Sequence, residues 1–560
     1  MAIGDVTAGS TAGQVRFAGL GSGTDFDSLI SKLIQVEQSR LNTYKTWKQS
    51  WLDKNEAFKD LNSKMLTLRT TLQGMDTINE FLKKSASSTN TSTLSATAGG
   101  EAESGTHTYN VLQLAKNKMM VTTTGYATLT QDVNSLGSNA TFNFTYKGVT
   151  VSNSIPATAT LTDVVNIINA NSANTGVRAS TIYDGTNYYL QVRGLDTGEE
   201  ASLTINASTT LPGFGSANFQ TTQNNQDAKF KIDGWPLSNA YISRATNTVT
   251  DAITGLTLSL KSSGAGSITV DTDTDAVVEN VRTFINQVNE VRGKIRELTK
   301  FDSTTKQGSI LTGNYGLQII DSIMKNITAA PGIGFDSDVD DYTSLSPVGL
   351  STDATEGSPT QGLILLDEER LREVLASNAY SVAKIFSARY MGDTDSGNIS
   401  FSSYIDGITK AGSYSVSYTV AGGKITAATI NGHAATFSSN SSYITGAAGQ
   451  DEAGIVIRVN NLTAGSYSHT VNLRLGKTSE LADELKDLTN SDTGPLNILQ
   501  KNYTTISDNI QKKIDDETRR ITQMETRMRM KFARLDALLG QYGAIQTQLG
   551  SQIAQLGNNT

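Results

Sequence analysis

The sequence predicts a multidomain α+β protein, in which a terminal helical coiled coil and a helical bundle leg carry several antiparallel all-β domains inserted between the terminal helices. Apolar side chains recur in steps of three and four near both ends, as in coiled-coil helices. Short alternating runs separated by turn residues fill the middle, as in β-strands. With 560 residues, the chain is long enough for about three to five domains.

The two ends are predicted to pair as a terminal coiled-coil domain of residues 1–44 and 521–560. The stretch ITQMETRMRMKFARLDALLGQYGAIQTQLGSQIAQL, at 521–556, has an apolar seam that can be buried only against another helix. The N-terminal helix has a similar apolar seam, which makes it the expected partner. Thr24 and Asp27 have capping-box spacing at the start of that helix. The residues predicted to contact other molecules are Ile30, Leu33, Glu37, Arg40, Tyr44, Leu535, Leu538, Tyr542, Ile545 and Leu549.

The segment from Ala537 to Thr560 has no charged side chain and is rich in Gln. A helix lying on a membrane surface would need Lys or Arg on its polar face. A neutral helix instead favours packing among copies of itself, and the alternative is a single solvated helix end. We therefore expect a homo-oligomer.

A helical leg domain is predicted from residues 45–84, 272–389 and 477–520. Asp275 and Asp367 are placed to cap two of its helices. The predicted leg core comprises Trp47, Trp51, Phe58, Leu61, Met65, Val281, Val288 and Ile295.

Strand-like segments predict three β regions. The first is a β domain of residues 85–126 and 227–271, and the second is an outer β domain of residues 127–226. The third, residues 390–476, is predicted to be an additional inserted β domain.

Composition excludes several classes of protein and site. The chain has no Cys, which excludes disulfides and thiolate metal sites. Its net charge of −8 argues against a nucleic-acid coat and an anionic membrane as the main partner. No segment has the length of apolar sequence that membrane insertion requires, and the N-terminus does not have the pattern of a secretory signal peptide.

No catalytic, cofactor-binding or metal-binding residues are predicted, and we expect no enzyme. The acidic clusters DTDTDA, DSDVDD and DTDSGN begin like calcium loops but lack the required Glu at position twelve, so caps and solvated turns are favoured. His107, His433 and His469 lie in β or turn-rich segments without a recognisable triad, although triads are spatial. GLGSG at 19–23 lacks the strand and the Lys of a phosphate loop, and Gly19, Gly21 and Gly23 are predicted to form a hinge.

Ordered motifs resemble those of the flagellar filament-capping family, also called hook-associated protein 2. The start matches in Gly19–Gly23, in Asp25 with Asp27, and in Ile30 with Leu33 leading to Glu37, although Thr24 stands where the family has an apolar residue. The segments YNVLQLAKN, FKIDGWPLSNAYISRATNTVTDAITGLTLSLK, PVGLSTD and the C-terminal coiled coil follow in the family's order. No match is recognised between about 390 and 476.

This resemblance implies a bacterial protein secreted through the flagellar export channel that caps the distal tip of the filament. It implies about five copies in a symmetric assembly, contacts with flagellin and with the hook–filament junction proteins, and an export chaperone on roughly Ile506 to Leu556. The alternatives are another axial protein, namely a flagellin or a junction protein, or a surface adhesin for mucin or glycans. The adhesin would need exposed aromatic residues such as Tyr404, Tyr414 and Tyr418.

The glycine-rich entry to the first helix gives a testable prediction. If Gly19, Gly21 and Gly23 form a hinge that lets the cap move as the filament grows, replacing them with Ala should slow filament growth, because a Cβ restricts backbone freedom. Filament length per unit time, measured by microscopy, checks this expectation. Normal growth of the triple variant would refute the hinge.

Overall fold

The computed structural model describes residues 25–302, 304–438 and 440–557. In that part of the chain the α-helices are α1 (Phe26–Gln73), α2 (Ile78–Phe81), α3 (Leu161–Ala170), α4 (Thr274–Thr299), α5 (Tyr315–Ala329), α6 (Glu368–Ser387), α7 (Lys477–Leu488) and α8 (Pro495–Gly557). Short 3-10 helices lie at Ser216–Asn218 and Ser346–Val348. Helices flank and separate the β regions, and the predicted α+β fold class is confirmed.

The strands occupy the segments between these helices. The first group is β1 (Lys84–Ser88), β2 (Leu94–Ala98), β3 (Gly105–Gln113), β4 (Met119–Thr122), β5 (Ala140–Tyr146), β6 (Val149–Ile155), β7 (Val177–Tyr183), β8 (Tyr188–Gly194), β9 (Leu203–Ile205) and β10 (Phe219–Gln223). The second group is β11 (Ala228–Ile232), β12 (Ile242–Arg244), β13 (Thr248–Val249), β14 (Leu256–Leu260), β15 (Gly264–Thr272), β16 (Phe301–Asp302), β17 (Gln307–Gly308), β18 (Leu350–Thr352) and β19 (Ile364–Leu366). The third group is β20 (Arg389–Thr394), β21 (Ile399–Ser403), β22 (Gly412–Ala421), β23 (Lys424–Ile430), β24 (His433–Ala434), β25 (Thr436–Phe437), β26 (Tyr443–Thr445), β27 (Val456–Val459) and β28 (Gly465–Leu475).

The helical bundle has the largest apolar cluster of the described residues. It gathers side chains from α1, α4, α5, α6, α7 and the start of α8. At its centre Phe386 stacks on Phe81 at a ring distance of 4.9 Å and meets Phe284 edge-on at 5.9 Å. We propose that this cluster is the core of the leg domain, because it is built from the helices, their connecting segments and the β18–β19 hairpin, without side chains from the larger β-sheets.

The first β region consists of two sheets around one apolar cluster. Their strand orders are β1-β15-β3-β11-β12 and β13-β14-β2. Strand β4, which the sequence assigned to this region, instead pairs with β8 and β10. The boundary predicted at residue 126 is therefore too late, because β4 completes the neighbouring sheet.

The outer β region was predicted to be all-β, and that prediction is wrong in one element. Between sheets β10-β4-β8-β7 and β6-β5-β9 lies α3, which buries Leu161, Val164 and Ile168 against both. A capping box starts it, because the side chains of Thr160 and Asp163 each accept a hydrogen bond from the other's backbone N–H. That motif was visible in the sequence, but a ten-residue helix among strand-like runs was missed.

The region 390–476 forms two further sheets, β20-β28-β22-β23-β24 and β21-β27-β26-β25, around its own apolar cluster. We propose that this cluster and the two in the preceding paragraphs are the cores of separate β domains. The described strand pairs are antiparallel throughout, as the alternating sequence pattern predicts.

Helix starts confirm one predicted cap and correct another. Asp367 caps α6 by accepting from the backbone N–H of Arg370 at 3.0 Å. The cap of α4 is Asp273 rather than Asp275. Asp275 lies two residues later, in the first turn of the helix, and pairs with Arg372 at 2.7 Å. At α1 the cap is Asp25, which accepts from Ser28, whereas Thr24 lies outside the described residues.

A buried ion network joins the inserted β region to the bundle. Arg474 of β28 is fully buried, and its Nε donates to Asp340 at 2.8 Å. Lys384 of α6 donates to the other oxygen of Asp340 at 2.8 Å. Burial alone would raise the pKa of Asp340, but these two hydrogen bonds and one from the Asp336 backbone hold it below its ordinary value. Within DSDVDD, Asp340 is therefore buried at the junction instead of lying in a solvated turn, whereas Asp338 and Asp341 are exposed as expected.

The variant Asp340→Asn tests this junction. It leaves Arg474 buried without its anion, so the free energy of unfolding should fall by about 3–5 kcal/mol. The lowered pKa means that the stabilisation is complete above about pH 4, the ordinary carboxyl pKa, and is lost as the pH falls through the folded-state value. Urea unfolding at pH 7 and pH 3 should therefore show a large difference that shrinks in acid. Asp338→Asn, exposed in the same turn, should match wild type, and equal stability of Asp340→Asn at pH 7 would contradict the assignment.

Candidate functional site

The two ends of the chain pair as antiparallel helices. Phe26, at the start of α1, stacks on Phe532 of α8 with ring centres 5.1 Å apart. Further along α1, Lys48 donates to Gln511 at 2.6 Å and Asn55 donates to Thr504 at 3.3 Å. The partners move backwards along α8 as α1 advances, so the C-terminal helix returns along the N-terminal one.

A small apolar cluster holds this pair together. Its buried members are Ile30, Ile34, Leu41, Ile510, Ile514 and Ile521, with Tyr44, Trp51, Ile506, Met524, Met528 and Phe532 packed around them. On α8 the cluster begins near Ile506, so the predicted boundary of the coiled coil at residue 521 is too late. The physical reason is that α8 passes without a break from the bundle to the paired ends.

Charged side chains fix the register of the pair. Arg529 pairs with Asp27 at 2.7 Å, and Arg520 pairs with both Glu37 and Glu517. Hydrogen bonds from Arg520 lower the pKa of Glu517 from its ordinary value. Glu37, predicted to contact another molecule, is thus engaged within the chain.

The other N-terminal residues predicted to contact another molecule differ in whether α8 covers them or leaves them exposed. Ile30 is 2% exposed and lies under α8, so it is not accessible to another molecule while the helices stay paired. Tyr44 is half-buried, and Arg40 donates to its hydroxyl at 3.2 Å. Leu33 is 42% exposed and remains available for contact.

Leu33 belongs to an outward apolar stripe on α1, together with Leu29, Val36 and Trp47, which are exposed by 49%, 70% and 44%. Trp47 was predicted to lie in the leg core, and that prediction is wrong because its position faces away from the bundle. Lys513 lies over its ring at 5.7 Å. Leu29 and Val36 were missed, although with Leu33 they form a second seam in steps of four and three beside the first.

The far half of α8 carries a second open surface, the distal α8 face. It consists of Leu535, Leu538, Tyr542, Ile545 and Leu549, which are 42–68% exposed. Leu539 and Ile553, not singled out from the sequence, are exposed beside it. The described part of α1 begins opposite Phe532, so beyond that point this face has no partner among the described residues.

Most predicted leg-core residues lie together in the bundle. Phe58, Leu61, Met65, Val281, Val288 and Ile295 are at most 3% exposed and share one cluster. Trp51 is half-buried at the border with the paired ends and meets Tyr503 edge-on at 5.1 Å. Gly19, Gly21 and Gly23, the predicted hinge, lie outside the described residues.

The acidic clusters that begin like calcium loops have partners within the protein. Asp273 caps a helix, while Asp393 and Asp395 contact Arg474 and Thr470. Within the described ranges no group of three or more His, Asp or Glu side chains is arranged to hold a metal ion. No helix in the described part of the chain is long and apolar enough to cross a membrane.

Each histidine contacts a carboxylate that sequence spacing did not reveal. His107 meets Asp233 at 2.7 Å, His433 meets Glu452 at 2.7 Å, and His469 meets Asp395 at 3.4 Å. Among the described residues no Ser or Thr hydroxyl hydrogen-bonds to these imidazoles. The pairs therefore lack the nucleophile that a triad requires.

The paired ends give a stability prediction. Ile510→Ala should destabilise the pairing by about 2–4 kcal/mol, because it removes a buried side chain from a small cluster. Hydrogen exchange of the amides in residues 26–41 should become faster, while exchange in the β-sheets stays unchanged. Ile498→Ala, on the same helix but 53% exposed, should leave both regions as in wild type. Unchanged exchange in residues 26–41 of Ile510→Ala would argue against this pairing.

Comparison with known proteins identifies relatives along most of the chain. Curated relatives include the A-type flagellar hook-associated protein 2 of Pseudomonas aeruginosa, 26% identical over 68% of this chain and 82% of the relative. The flagellar hook-associated protein 2 of Escherichia coli K12 is 26% identical over 73% of this chain and 88% of its own length. A solved structure of the D1-D2-D3 domains of the Escherichia coli flagellar cap protein covers 60% of this chain and 90% of that one, at 23% identity and a TM-score of 0.47.

Family models match three parts of the chain. The flagellin hook IN motif matches residues 141–196, and the N-terminal model of flagellar hook-associated protein 2 matches residues 22–118. The C-terminal model of flagellar hook-associated protein 2 matches residues 225–544, a range that runs through the inserted region 390–476. Since that model alone covers more than half of the 560 residues, the chain belongs to the flagellar hook-associated protein 2 family.

Proposed function

We propose that this chain is the structural cap at the distal end of the bacterial flagellar filament, where it promotes insertion and folding of exported flagellin subunits and prevents their loss. Family membership supports this role, and the solved relatives are described as flagellar cap proteins. The observation that carries the proposal is the distal α8 face, a long apolar surface on a neutral helix. Such a surface suits repeated contact with other helices rather than catalysis.

The open apolar surfaces support assembly with other subunits. We assign the distal α8 face and the outward stripe of α1 to contacts with neighbouring copies and with the topmost flagellin subunits. Both surfaces have apolar side chains at coiled-coil spacing, which a facing helix can bury. A closed assembly of about five copies is the proposed form, seated on a filament that begins at the hook–filament junction proteins.

We further propose that the chain is exported through the flagellar channel and that a chaperone protects it before export. An export chaperone would cover roughly Ile506–Leu556 before secretion, because this segment includes the distal α8 face, which is prone to association when free. The family's export chaperone should bind the full chain and fail to bind a chain that ends at residue 505. Equal binding of both chains would refute this assignment.

The adhesin alternative receives less support from the inserted β region. Tyr414 and Tyr418 are only 3% and 2% exposed, and Tyr404 stacks on Tyr390 at 4.8 Å. The aromatic residues that would have to stack on a sugar are thus packed among their own neighbours. The alternative of a flagellin or junction protein is not favoured, because the two models that together match most of the chain, at residues 22–118 and 225–544, are those of hook-associated protein 2.

Ile545→Glu tests the assembly role of the distal α8 face. A buried carboxylate in the contact should weaken assembly by about two orders of magnitude. Electron microscopy of the purified full-length chain should show multi-copy plates with protruding legs for wild type and mostly single copies for the variant. In cells whose own cap gene is replaced by the variant, filaments should shorten and flagellin should accumulate in the medium.

Thr547→Glu provides the matched control. It adds the same charge to the same helix, at an exposed position away from the apolar seam, so plates and filaments should be normal. Single copies in the wild-type preparation would count against the assembly and towards the adhesin. Long helical filaments of the purified chain would indicate a flagellin-like subunit.

A further inference from the structure

A basic cleft in the helical bundle lies away from the paired ends. It opens between the last turns of α4, the helix α5 and the loop that joins β18 to β19, and its volume is about 570 Å³. Arg296, Lys300 and Lys325 line it, together with Gly362. Because the chain as a whole has a net charge of −8, this concentration of cations is not a general property of its surface.

Arg292 lies beneath the cleft, one turn before Arg296 on α4. It is only 2% exposed, yet none of its three guanidinium nitrogens has a hydrogen-bond partner among the described residues. Its nearest carboxylate oxygen belongs to Asp321, 3.5 Å from Nε. Burial lowers the pKa of Arg292 from its ordinary value, and the attraction of Asp321 does not fully offset this.

The negative charge near the cleft is too small to balance these cations. Asp321 is the one carboxylate in the described part of the chain that forms an ion pair with any of the four, and it also pairs with Lys325. Asp302 lies near enough to Lys300 for an electrostatic attraction, but the two form no direct ion pair among the described residues. The carboxylate of Asp302 accepts from the backbone N–H groups of Thr304 and Thr305 at 2.8 and 3.1 Å. A buried arginine with this little compensation is destabilising unless an anion or other acceptor completes the site.

The loop wall of the cleft is held in place. Asp353 accepts hydrogen bonds from the hydroxyls of Ser358 and Thr360 at 2.6 and 2.7 Å. Arg296 donates to the carbonyl oxygens of Pro359 and Gln361, which ties the loop to α4. The cleft is therefore formed before any ligand arrives.

Gly362 lies beside the guanidinium groups of both arginines. A Cβ at this position would lie 3.4 Å from Nη2 of Arg296 and 3.9 Å from Nη2 of Arg292. The backbone of Gly362 also has a φ of +76°, which a side chain would strain. Because Gly362 lines the cleft, these distances show that both guanidinium groups lie beside it.

We propose that this cleft is an oxyanion-binding site for a phosphate, sulfate or carboxylate group, with Lys300 and Lys325 contacting the anion and Arg292 and Arg296 supplying charge from below. Lys300 has no ion-pair partner among the described residues, and Lys325 shares Asp321 with Arg292. Charge-assisted hydrogen bonds from several cations to one oxyanion are strong and directional. The site is independent of the paired ends and of the distal α8 face.

Calorimetric titration of inorganic phosphate into the full-length chain tests the site. We expect saturable binding of one phosphate per chain beyond the effect of chloride at the same ionic strength. The double variant Lys300→Gln, Lys325→Gln should bind at least about tenfold more weakly, because it loses two charge-assisted contacts. The matched control Lys59→Gln, Lys424→Gln removes the same charge outside the cleft and should bind as wild type.

Arg292→Met supplies an independent check of the buried cation. Phosphate should raise the thermal unfolding temperature of this variant by less than that of wild type, because the charge beneath the anion is removed. The stability of the variant without phosphate should equal or exceed that of wild type. A titration with acetate in place of phosphate distinguishes the two sources of the oxyanion. Binding of acetate would indicate a carboxylate side chain as the occupant. Selective binding of phosphate would indicate a free anion. Absence of saturable binding of both probes, or binding that the lysine variant leaves unchanged, would overturn the proposal.

Discussion

The antiparallel pairing of α1 with α8 is the constraint on which the rest of this molecule depends. Both helices run from the bundle to the paired ends without a break, so one continuous structure joins the two regions. The chain leaves this base after α1 and must return to it through α4, α5, α6 and α7. The first β region and the inserted region 390–476 consequently leave the bundle and return to it. The outer β region is instead inserted into the first one, between β3 and β11, which pair with each other.

Polar contacts at the bundle decide how the inserted region 390–476 is held. Arg474 and Asp340 lie on opposite sides of the junction, and Lys384 completes the network from α6. Beside it, the first residues of α7 are buried: Thr478 donates to the carbonyl oxygens of Met75 and Phe386, and Ser479 donates to that of Asp76. Because these contacts are directional and desolvated, they specify an orientation that apolar packing alone leaves open.

The open apolar surfaces follow from where the pairing ends. Opposite Phe532 the described part of α1 begins, and from there α8 presents Leu535, Leu538 and Tyr542 to the surroundings. Because the segment from Ala537 onward has no charged side chain, no charge repulsion opposes its contact with similar helices. If the chain acts as the cap proposed above, contacts of this kind can be released and remade one at a time as the filament grows.

The sequence by itself determined the fold class, the helices at both ends, the position of most strands and six of the eight predicted leg-core side chains, because hydrophobic period and turn residues are local signals. It also carried the family resemblance. Only the tertiary structure decided which seam faces inward, since α1 has two seams one residue apart and α8 covers Ile30 while leaving Leu33 open. The same holds for the Asp340 network, the histidine–carboxylate pairs and the ion pair of Arg292 with Asp321, whose members are separated in the chain and meet only when it folds.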